Sequence, residues 1–349
     1  MRNFPALMIA LGLLLFTSGC GAPAPLEVSP DKPVPLLAWP RPPAEPRIHY
    51  VRSVAAPREW GIAKSFFRRM IDTLVGKGEE HFIRPTGVAE RDGVLYVADP
   101  GAQALWILDR VQNRFSKVSQ VQEEALGSPV AVAVRPDGAV FVADTLLKKV
   151  FLLDRAGKFI RVAAEEGLAR PAGLAYDAAT QRLYVIDSAT HRISVYGPDG
   201  TRIRTWGQGG SEDGEFNRPT HVALDRTGTL LVTDALNFRV QAFDQEGRFL
   251  WKLGHPGDGS GDFAAPKGLA ADSEGHIYVV DALFDAIQIF ERDGPLLLAF
   301  GERGTQAGQF WLPGGLYITP QNQIYVADAY NQRIQVFVFD PDPGKGAKQ

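Results

Sequence analysis

The sequence predicts an all-β protein, a six-bladed β-propeller with four antiparallel strands in each blade. The first observation is a set of six segments that each begin at a proline: Pro85, Pro129, Pro171, Pro219, Pro266 and Pro313. The second is that each segment continues through a short turn into a strand ending in aspartate, at Asp99, Asp144, Asp187, Asp234, Asp281 and Asp328, with spacings of 45, 43, 47, 47 and 47 residues. Several short strands repeated at this period are typical of propeller blades, which bury their faces against neighbouring blades.

Each repeat then adds a third strand, such as RISVY, RVQAF, AIQIF or RIQVF, and the earlier repeats add a fourth, such as RIRTW. Asp-Gly and Glu-Gly turns separate these β-branched runs, as in hairpin-linked strands. Five full repeats supply 20 strands, and the last supplies three before it ends near Asp340. We therefore expect Arg47–Val54 to provide the missing strand and close the ring, because closure removes an exposed sheet edge. The predicted propeller spans residues 47–342, with a flexible tail at 343–349.

One helix is predicted near the N-terminus, inserted in the propeller at residues 57–76. Ile62, Phe66, Met70 and Leu74 recur at four-residue steps, which is typical of an amphipathic helix. Two interpretations stay open. The helix packs on one propeller face as a plug, or its aromatic and basic residues meet a partner protein or the membrane surface.

The N-terminal segment is predicted to be an export signal. Arg2 precedes an apolar run of 13 residues from Phe4 to Phe16, too short for a bilayer span of about 20 residues but suited to a signal-peptide core. Residues 1–19 are the predicted signal peptide, and Thr17-Ser-Gly-Cys20 resembles the lipobox of bacterial lipoproteins, in which the cysteine is lipidated. An ordinary cleaved signal with a free thiol is the alternative. By the same resemblance, Gly21 after Cys20 favours delivery to the outer membrane, facing the periplasm or the cell surface, if the bacterium has two membranes.

Residues 20–46 are predicted to be a lipidated cysteine followed by a proline-rich tether. The stretch 21–46 holds nine prolines in 26 positions. Such a segment favours extended conformations of about 3.1 Å per residue, so it would hold the propeller on the order of 80 Å from the membrane. A docking strip for a partner is the alternative interpretation.

Composition excludes several function classes. Hydrophobic residues make up 45% of the chain and charged residues 22%, so a disordered chain is excluded. The formal net charge of −3 argues against nucleic acid as a partner, since nucleic-acid binders usually carry a basic surplus. The single cysteine can form neither an internal disulfide nor a cysteine-based zinc cage.

The pattern Pro-x-Gly-Val/Leu-Ala, then Tyr-Val-Ala-Asp, then Asn-x-Arg-Ile/Val-Gln resembles the NHL repeat, over roughly residues 84–340. The N-terminal part further resembles bacterial NHL-type propeller lipoproteins. The resemblance implies a six-bladed propeller. It leaves the function open, because such propellers serve as enzymes, RNA binders and protein scaffolds.

The repeated aspartates are interpreted as structural. A cation follows five residues after four of them, which would make the two side chains cross-strand neighbours across a hairpin. A feature present in every blade is scaffold rather than site. The residues assigned to this device are Asp99, Asp144, Lys149, Asp187, Arg192, Asp234, Asn237, Arg239, Asp281, Asp328, Asn331 and Arg333.

The candidate ligand-binding residues are Thr220, His221 and Lys267, the polar exceptions where the inner strands begin near the axis. NHL-type lyases, by resemblance, hold an axial metal with several histidines at such positions, and only His221 matches here. The loop His255–Phe263 lacks the terminal glutamate of an EF-hand. We therefore predict no metal, no cofactor and no catalytic residue.

The function that these observations favour is an exported, lipid-anchored scaffold of the bacterial cell envelope. It would bind protein partners without catalysis, through a propeller face or the 57–76 helix, within a membrane-associated complex. The alternative is a propeller enzyme of lactonase or lyase type with an axial metal.

Overall fold

Six antiparallel sheets follow one another along the chain and form the blades of the propeller. The computed structural model describes residues 37–41, 43–63, 80–292 and 294–341. The innermost strand of each blade contacts that of the next, and the sixth contacts the first. The predicted six-bladed, all-β fold is therefore confirmed.

The first five blades each have four strands, ordered from the axis outwards. Blade 1 has Gly87–Arg91, Val94–Asp99, Ala104–Asp109 and Arg114–Val118. Blade 2 has Pro129–Val134, Val140–Asp144, Lys149–Leu153 and Phe159–Ala164. Blade 3 has Pro171–Asp177, Arg182–Asp187, Arg192–Tyr196 and Arg202–Trp206. Blade 4 has Pro219–Leu224, Leu230–Asp234, Arg239–Phe243 and Phe249–Leu253. Blade 5 has Pro266–Ala271, Ile277–Asp281, Ala286–Phe290 and Leu296–Phe300. A small hairpin of Gln120–Val121 and Glu124–Ala125 precedes blade 2, and a 3₁₀ turn at Ala235–Asn237 lies in blade 4.

Blade 6 joins the two ends of the chain. Its strands are, from the axis outwards, Leu316–Ile318, Gln323–Asp328, Arg333–Phe339, Ile48–Val54 and Ala38–Trp39. Ile48 pairs with Phe339, so the N-terminal strand closes the ring as the sequence predicts. The fifth strand, Ala38–Trp39, is not predicted by the repeat pattern.

The last part of the predicted tether packs on this blade rather than extending away from it. The Trp39 ring lies 5.3 Å from Phe300 and 5.9 Å from Phe337, measured between ring centroids. The prediction of a tether through residue 46 is therefore wrong for the described residues 37–41 and 43–46. The high proline content of this segment favours an extended tether and gives no sign of the two-residue strand Ala38–Trp39. That strand is held by the Trp39 ring, which packs against the propeller. The signal peptide, Cys20 and residues 21–36 lie outside the described residues, as do residues 342–349, which include the predicted tail.

The prediction of a helix over residues 57–76 is wrong for its first turn, and residues 64–76 lie outside the described residues. Pro57–Trp60 form a single 3₁₀ turn, which ends at Gly61 in the left-handed conformation, with φ of 89°. Trp60 is buried, and the Arg110 guanidinium lies 4.8 Å from the centre of its ring. Ile62 packs into the same hydrophobic cluster. The described residues contain no helix long and apolar enough to span a membrane.

Three phenylalanines fill the spaces between the later blades. Phe216, Phe263 and Phe310 are each 0% exposed and belong to clusters that combine residues of two adjacent blades. Burying a phenylalanine fully contributes about 1.5–3 kcal/mol. The repeated Gly-rich lead-in to blades 4, 5 and 6 thus places one aromatic ring at each blade junction.

The glycine of the Pro-x-Gly motif is required by the approach of the next blade. A Cβ at Gly173 would lie 2.7 Å from the carbonyl oxygen of Thr220, and one at Gly87 would lie 2.7 Å from that of Val130. Inner strands therefore pack backbone to backbone around the axis. His221 occupies the equivalent position in blade 4.

Candidate functional site

An axial cavity of about 540 Å³ opens on one face of the propeller. In an antiparallel blade the start of the first strand, the end of the second and the start of the third lie on the same face. Pairing of Pro129 with Asp144, and of Asp144 with Lys149, shows this arrangement in blade 2. We call this the axial face. The cavity lining includes Arg84, Thr86, Thr145, Arg170, Ser188, Arg218, Thr220, His221, Leu236, Lys267 and Tyr330.

The three predicted ligand-binding residues line this cavity together. His221 and Thr220 are linked by a hydrogen bond of 3.1 Å between Nδ1 and Oγ1. Lys267 comes from the next blade and lies close enough to His221 to disfavour its protonation. The structure thus brings Thr220, His221 and Lys267 to one site, and their role in binding a ligand stays a prediction.

His221 is neutral at neutral pH. Burial lowers its pKa to about 3, and repulsion from Lys267 acts in the same direction. Burial also lowers the pKa of Lys267, and Arg170 adds to this while Asp281 opposes it. Two cations from different blades therefore face the same space, beside an uncharged imidazole.

Three further cations of the cavity are not predicted from the sequence: Arg84, Arg170 and Arg218. Each directly precedes the repeat proline, which starts the inner strand in blades 3 and 4 and lies two residues before it in blade 1. The signal is a repeated Arg-Pro dipeptide, and it is easily overlooked because the proline of that dipeptide also marks the start of the repeat. The three side chains are exposed on the axial face.

The repeated aspartates anchor the turns of the axial face. All six are at most 2% exposed. Asp187, for example, accepts hydrogen bonds from the backbone N–H groups of Ala169, Arg170, Ala189 and Thr190. The aspartate thus joins the loop before the first strand to the turn after the second. In every blade the residue just before the third strand is left-handed, at Gln103, Lys148, His191, Phe238, Asp285 and Gln332.

Only some of the predicted cations pair with their aspartates. Arg239 Nε donates to Asp234 at 2.9 Å, and Arg333 Nε donates to Asp328 at 2.8 Å. Asn237 and Asn331 donate to the same two carboxylates, at 2.8 and 2.9 Å. Lys149 instead lies 2.6 Å from Glu124. Arg192 is in register with Asp187, with no ion pair to it within the described part of the chain.

The axial face also carries a ring of exposed apolar side chains. The residue two positions after the repeated aspartate is Leu146, Leu236, Leu283 or Tyr330 in four blades, with exposures of 67%, 50%, 63% and 50%. Trp311 stacks near Tyr330, with 5.6 Å between ring centroids. We call Leu146, Leu236, Leu283, Trp311 and Tyr330 the apolar rim.

Within the described ranges, no three or more His, Cys, Asp or Glu side chains come together in a way that could hold a metal ion. In the loop His255–Phe263, the His255 Nδ1 lies 2.8 Å from an oxygen of Asp262, so these two groups pair with each other.

Comparison with known proteins supports the repeat and the fold. The NHL repeat matches residues 168–196 and 310–337, and a 6-bladed beta-propeller family matches residues 226–296. A structure described as a streptogramin B lyase is 15% identical, with a TM-score of 0.57, and the alignment covers 74% of this chain and 94% of that one. An auxiliary nutrient binding protein from Bacteroides ovatus is 15% identical, with a TM-score of 0.58 and coverage of 74% and 70%. Virginiamycin B lyase from Staphylococcus aureus is 13% identical, with a TM-score of 0.56 and coverage of 74% and 95%. These likenesses concern the fold alone. The chain is a six-bladed β-propeller, and two of its segments match the NHL repeat.

Proposed function

We propose that this propeller is an exported, lipid-anchored scaffold of the bacterial cell envelope that binds a protein partner without catalysis. The partner docks on the axial face, over the cavity mouth, and the two assemble in a membrane-associated complex. The observation that carries the proposal is the apolar rim beside a cavity whose charged lining residues are all cations.

The apolar rim is the pattern expected of a docking surface. Leu146, Leu236, Leu283 and Tyr330 occupy equivalent positions in blades 2, 4, 5 and 6, and Trp311 packs beside Tyr330, so the rim lies on one face of the propeller rather than scattered over the surface. Leucine and aromatic side chains cost free energy when they stay in water, and since these are already partly buried, a partner would gain roughly half of the ~1.5–3 kcal/mol for complete burial of each one. A protein partner can cover several of them at once, whereas a small ligand in the cavity cannot.

The envelope location rests on the sequence. The 13-residue apolar run followed by Cys20 predicts export and lipidation. Several acyl chains anchor a protein stably, whereas one chain does not. The similarity in fold to a nutrient binding protein of Bacteroides ovatus agrees with a binding role.

Site-specific photo-crosslinking in the native host tests the docking face. A photo-reactive residue would replace Leu236 or Leu283 on the apolar rim. The matched control is Val111, which is 71% exposed in the hairpin between the third and fourth strands of blade 1, on the opposite face. We expect one defined protein to crosslink from both rim positions and not from Val111. Equal crosslinking from Val111, or none from the rim, contradicts the proposal.

The anchor is tested separately by Cys20→Ser. We expect the variant to move from the membrane fraction to the soluble fraction after cell lysis, because the acylated thiol is lost. Retention of the variant in membranes would show that another feature holds the protein there.

A further inference from the structure

We infer that the partner inserts an acidic peptide segment into the axial cavity, where Arg84, Arg170, Arg218 and Lys267 bind its carboxylates. The inference rests on the proposed function, since it names the chemistry of the partner that the axial face receives. It depends on three observations: four convergent cations, the absence of free carboxylates among the described residues around them, and the apolar rim.

The charged residues lining the cavity are all cationic. Arg84, Arg170, Arg218 and Lys267 come from four different blades, and none of the aspartates or glutamates that the structure describes lines the cavity. None of the four side chains makes an ion pair or hydrogen bond with another residue in the described ranges. Arg170 and Lys267 repel each other, and this repulsion lowers the pKa of Lys267 along with burial, while the buried Asp281 acts in the opposite direction. A bound anion relieves this repulsion.

The nearest carboxylates are already engaged. The repeated aspartates lie beneath the axial face, but their oxygens accept backbone N–H groups that fix them in place. Asp99 accepts from the N–H groups of Ile83, Arg84 and Ala102 at 2.7–3.0 Å. Asp281 accepts from Ala264, Ala265, Leu283 and Phe284 at 2.7–3.2 Å. Reaching the arginine side chains would require these carboxylates to give up their hydrogen bonds while buried, which is costly.

The cavity walls add hydrogen-bonding groups suited to a peptide. Thr220 and Ser188 line the cavity beside the cations. His221 is neutral at neutral pH, so it contributes no charge, and because its Nδ1 pairs with Thr220 Oγ1, its Nε2 is the ring nitrogen left to contact a ligand. Arginine binds carboxylates through two parallel N–H donors, which gives these sites a preference for Asp and Glu side chains.

The surroundings favour a peptide over a free anion. Leu236 and Tyr330 belong both to the cavity lining and to the apolar rim. An acidic segment flanked by apolar residues would therefore match the charge of the cavity and the apolar character of its rim. The net charge of −3 for the whole chain opposes a long polyanion such as nucleic acid.

The test measures binding of labelled peptides to the full chain purified in detergent, by fluorescence anisotropy. One probe is a nonapeptide with three central glutamates flanked by leucines, and its matched control has glutamine in place of each glutamate. We expect the glutamate peptide to bind at least about tenfold more tightly, and less tightly as salt rises. Inorganic phosphate and citrate serve as free-anion competitors.

Two variants test the assigned residues. R170Q/R218Q and Lys267→Met should each weaken binding of the glutamate peptide by about tenfold or more while leaving the melting temperature unchanged. Arg114→Gln, on the opposite face, should leave both quantities unchanged.

Several results would overturn the inference. The first is equal affinity for the glutamate and glutamine peptides, and the second is unchanged affinity for the glutamate peptide in R170Q/R218Q. The third is that citrate or phosphate binds as tightly as the glutamate peptide and loses affinity in the same variants. The last result would assign the cavity to a small anion. If crosslinking from the apolar rim is unchanged in R170Q/R218Q, the partner docks on the axial face but does not insert an acidic segment into the cavity. Loss of all rim crosslinking in the wild-type chain would overturn both.

Discussion

The arginines of the blade turns and those of the axial cavity differ in what surrounds them. Arg239 is 8% exposed in its side chain, donates to Asp234, and also donates to the carbonyl oxygens of Glu212 and Glu215 at 2.8 and 3.0 Å. Arg84, Arg170 and Arg218 are exposed and have no such partners among the described residues. Arginine therefore has two roles in this propeller. Where its N–H groups bond within the fold it stabilises a turn, and where they have no partner in the fold it can bind a ligand.

Arg333 repeats the first arrangement in blade 6. It donates to Asp328 and to the carbonyl oxygens of Thr305, Gln306 and Gln309. Arg239 and Arg333 thus each connect a Gly-rich lead-in loop to the turn after the second strand. The side chains of the cavity arginines make no ion pair or hydrogen bond within the described residues, so they are available to a partner.

Arg239→Ala should show the largest effect on stability. It leaves the Asp234 carboxylate buried without its cation and frees two carbonyl oxygens, so we expect the free energy of unfolding to fall by about 3 kcal/mol. Thermal or urea denaturation measures it. Arg114→Ala, at an exposed position, is the control and should change stability by less than about 0.5 kcal/mol. Equal effects in the two variants would contradict the structural role of Arg239.

His276→Gln should lower stability by about 2 kcal/mol below pH 6.5, and by less at pH 9. The His276 Nδ1 lies 2.8 Å from Asp272, and this hydrogen bond raises the pKa of His276 above its usual value, with Glu291 and Glu274 adding to the rise. The contribution of a raised histidine pKa is complete below the unfolded value of about 6.5 and is lost as pH rises through the folded value. Denaturation of both proteins at pH 6 and pH 9 measures the difference. A gap independent of pH would show that the pair is held by the hydrogen bond alone.

His221→Gln should reduce the loss of stability at acidic pH, because His221, unlike His276, has a lowered pKa. The pKa of His221 is lowered to about 3, so the unfolded chain takes up a proton below about pH 6.5 while the folded chain does not. The wild-type chain should therefore lose about 1 kcal/mol more than the variant between pH 7 and pH 5, since water in the cavity screens part of the charge. Denaturation of both proteins at the two pH values measures this loss. Equal losses in the two proteins would indicate that His221 is protonated within the fold.

R170Q/R218Q should have the smallest effect on stability, within about 0.5 kcal/mol of wild type. These arginines are exposed and make no ion pair within the described residues, so the fold loses nothing with them. Thermal denaturation checks this alongside the peptide-binding assay. A loss of stability as large as that of Arg239→Ala would show that the cavity arginines, like Arg239, stabilise the fold.

The repeat pattern was sufficient to predict the blades and the closing strand. Pro129 and Asp144 mark the start and end of paired strands in blade 2, and the same proline and aspartate positions recur in the sequence of all six repeats. The strand Ala38–Trp39 could not be predicted, because its stability comes from the ring contacts of Trp39 with Phe300 and Phe337, far away in the sequence. The predicted helix failed at Gly61, where a left-handed backbone conformation ends a 3₁₀ turn.

The candidate site was predicted in part. Aligning the six repeats finds Thr220, His221 and Lys267, because the same two positions hold small or apolar residues in the other blades, apart from Thr86 in blade 1. The cavity arginines precede the prolines that define the repeat, in only three of the six blades. The Arg-Pro dipeptide separates Arg170 from Arg239 in the sequence, but it does not show that the Arg170 side chain is exposed and unpaired while that of Arg239 is buried and paired.

Local pattern and spacing were enough to set the number of blades, the register of the aspartates and the N-terminal segment that predicts export. How the blades assemble determines instead which cations pair with groups inside the fold and which stay unpaired. Ring closure places the starts of the inner strands around one axis, and there Arg84, Arg170, Arg218 and Lys267, up to 183 residues apart in the chain, line a single cavity. Charge pairing depends on distances of a few ångströms between side chains, and chain connectivity alone does not set those distances.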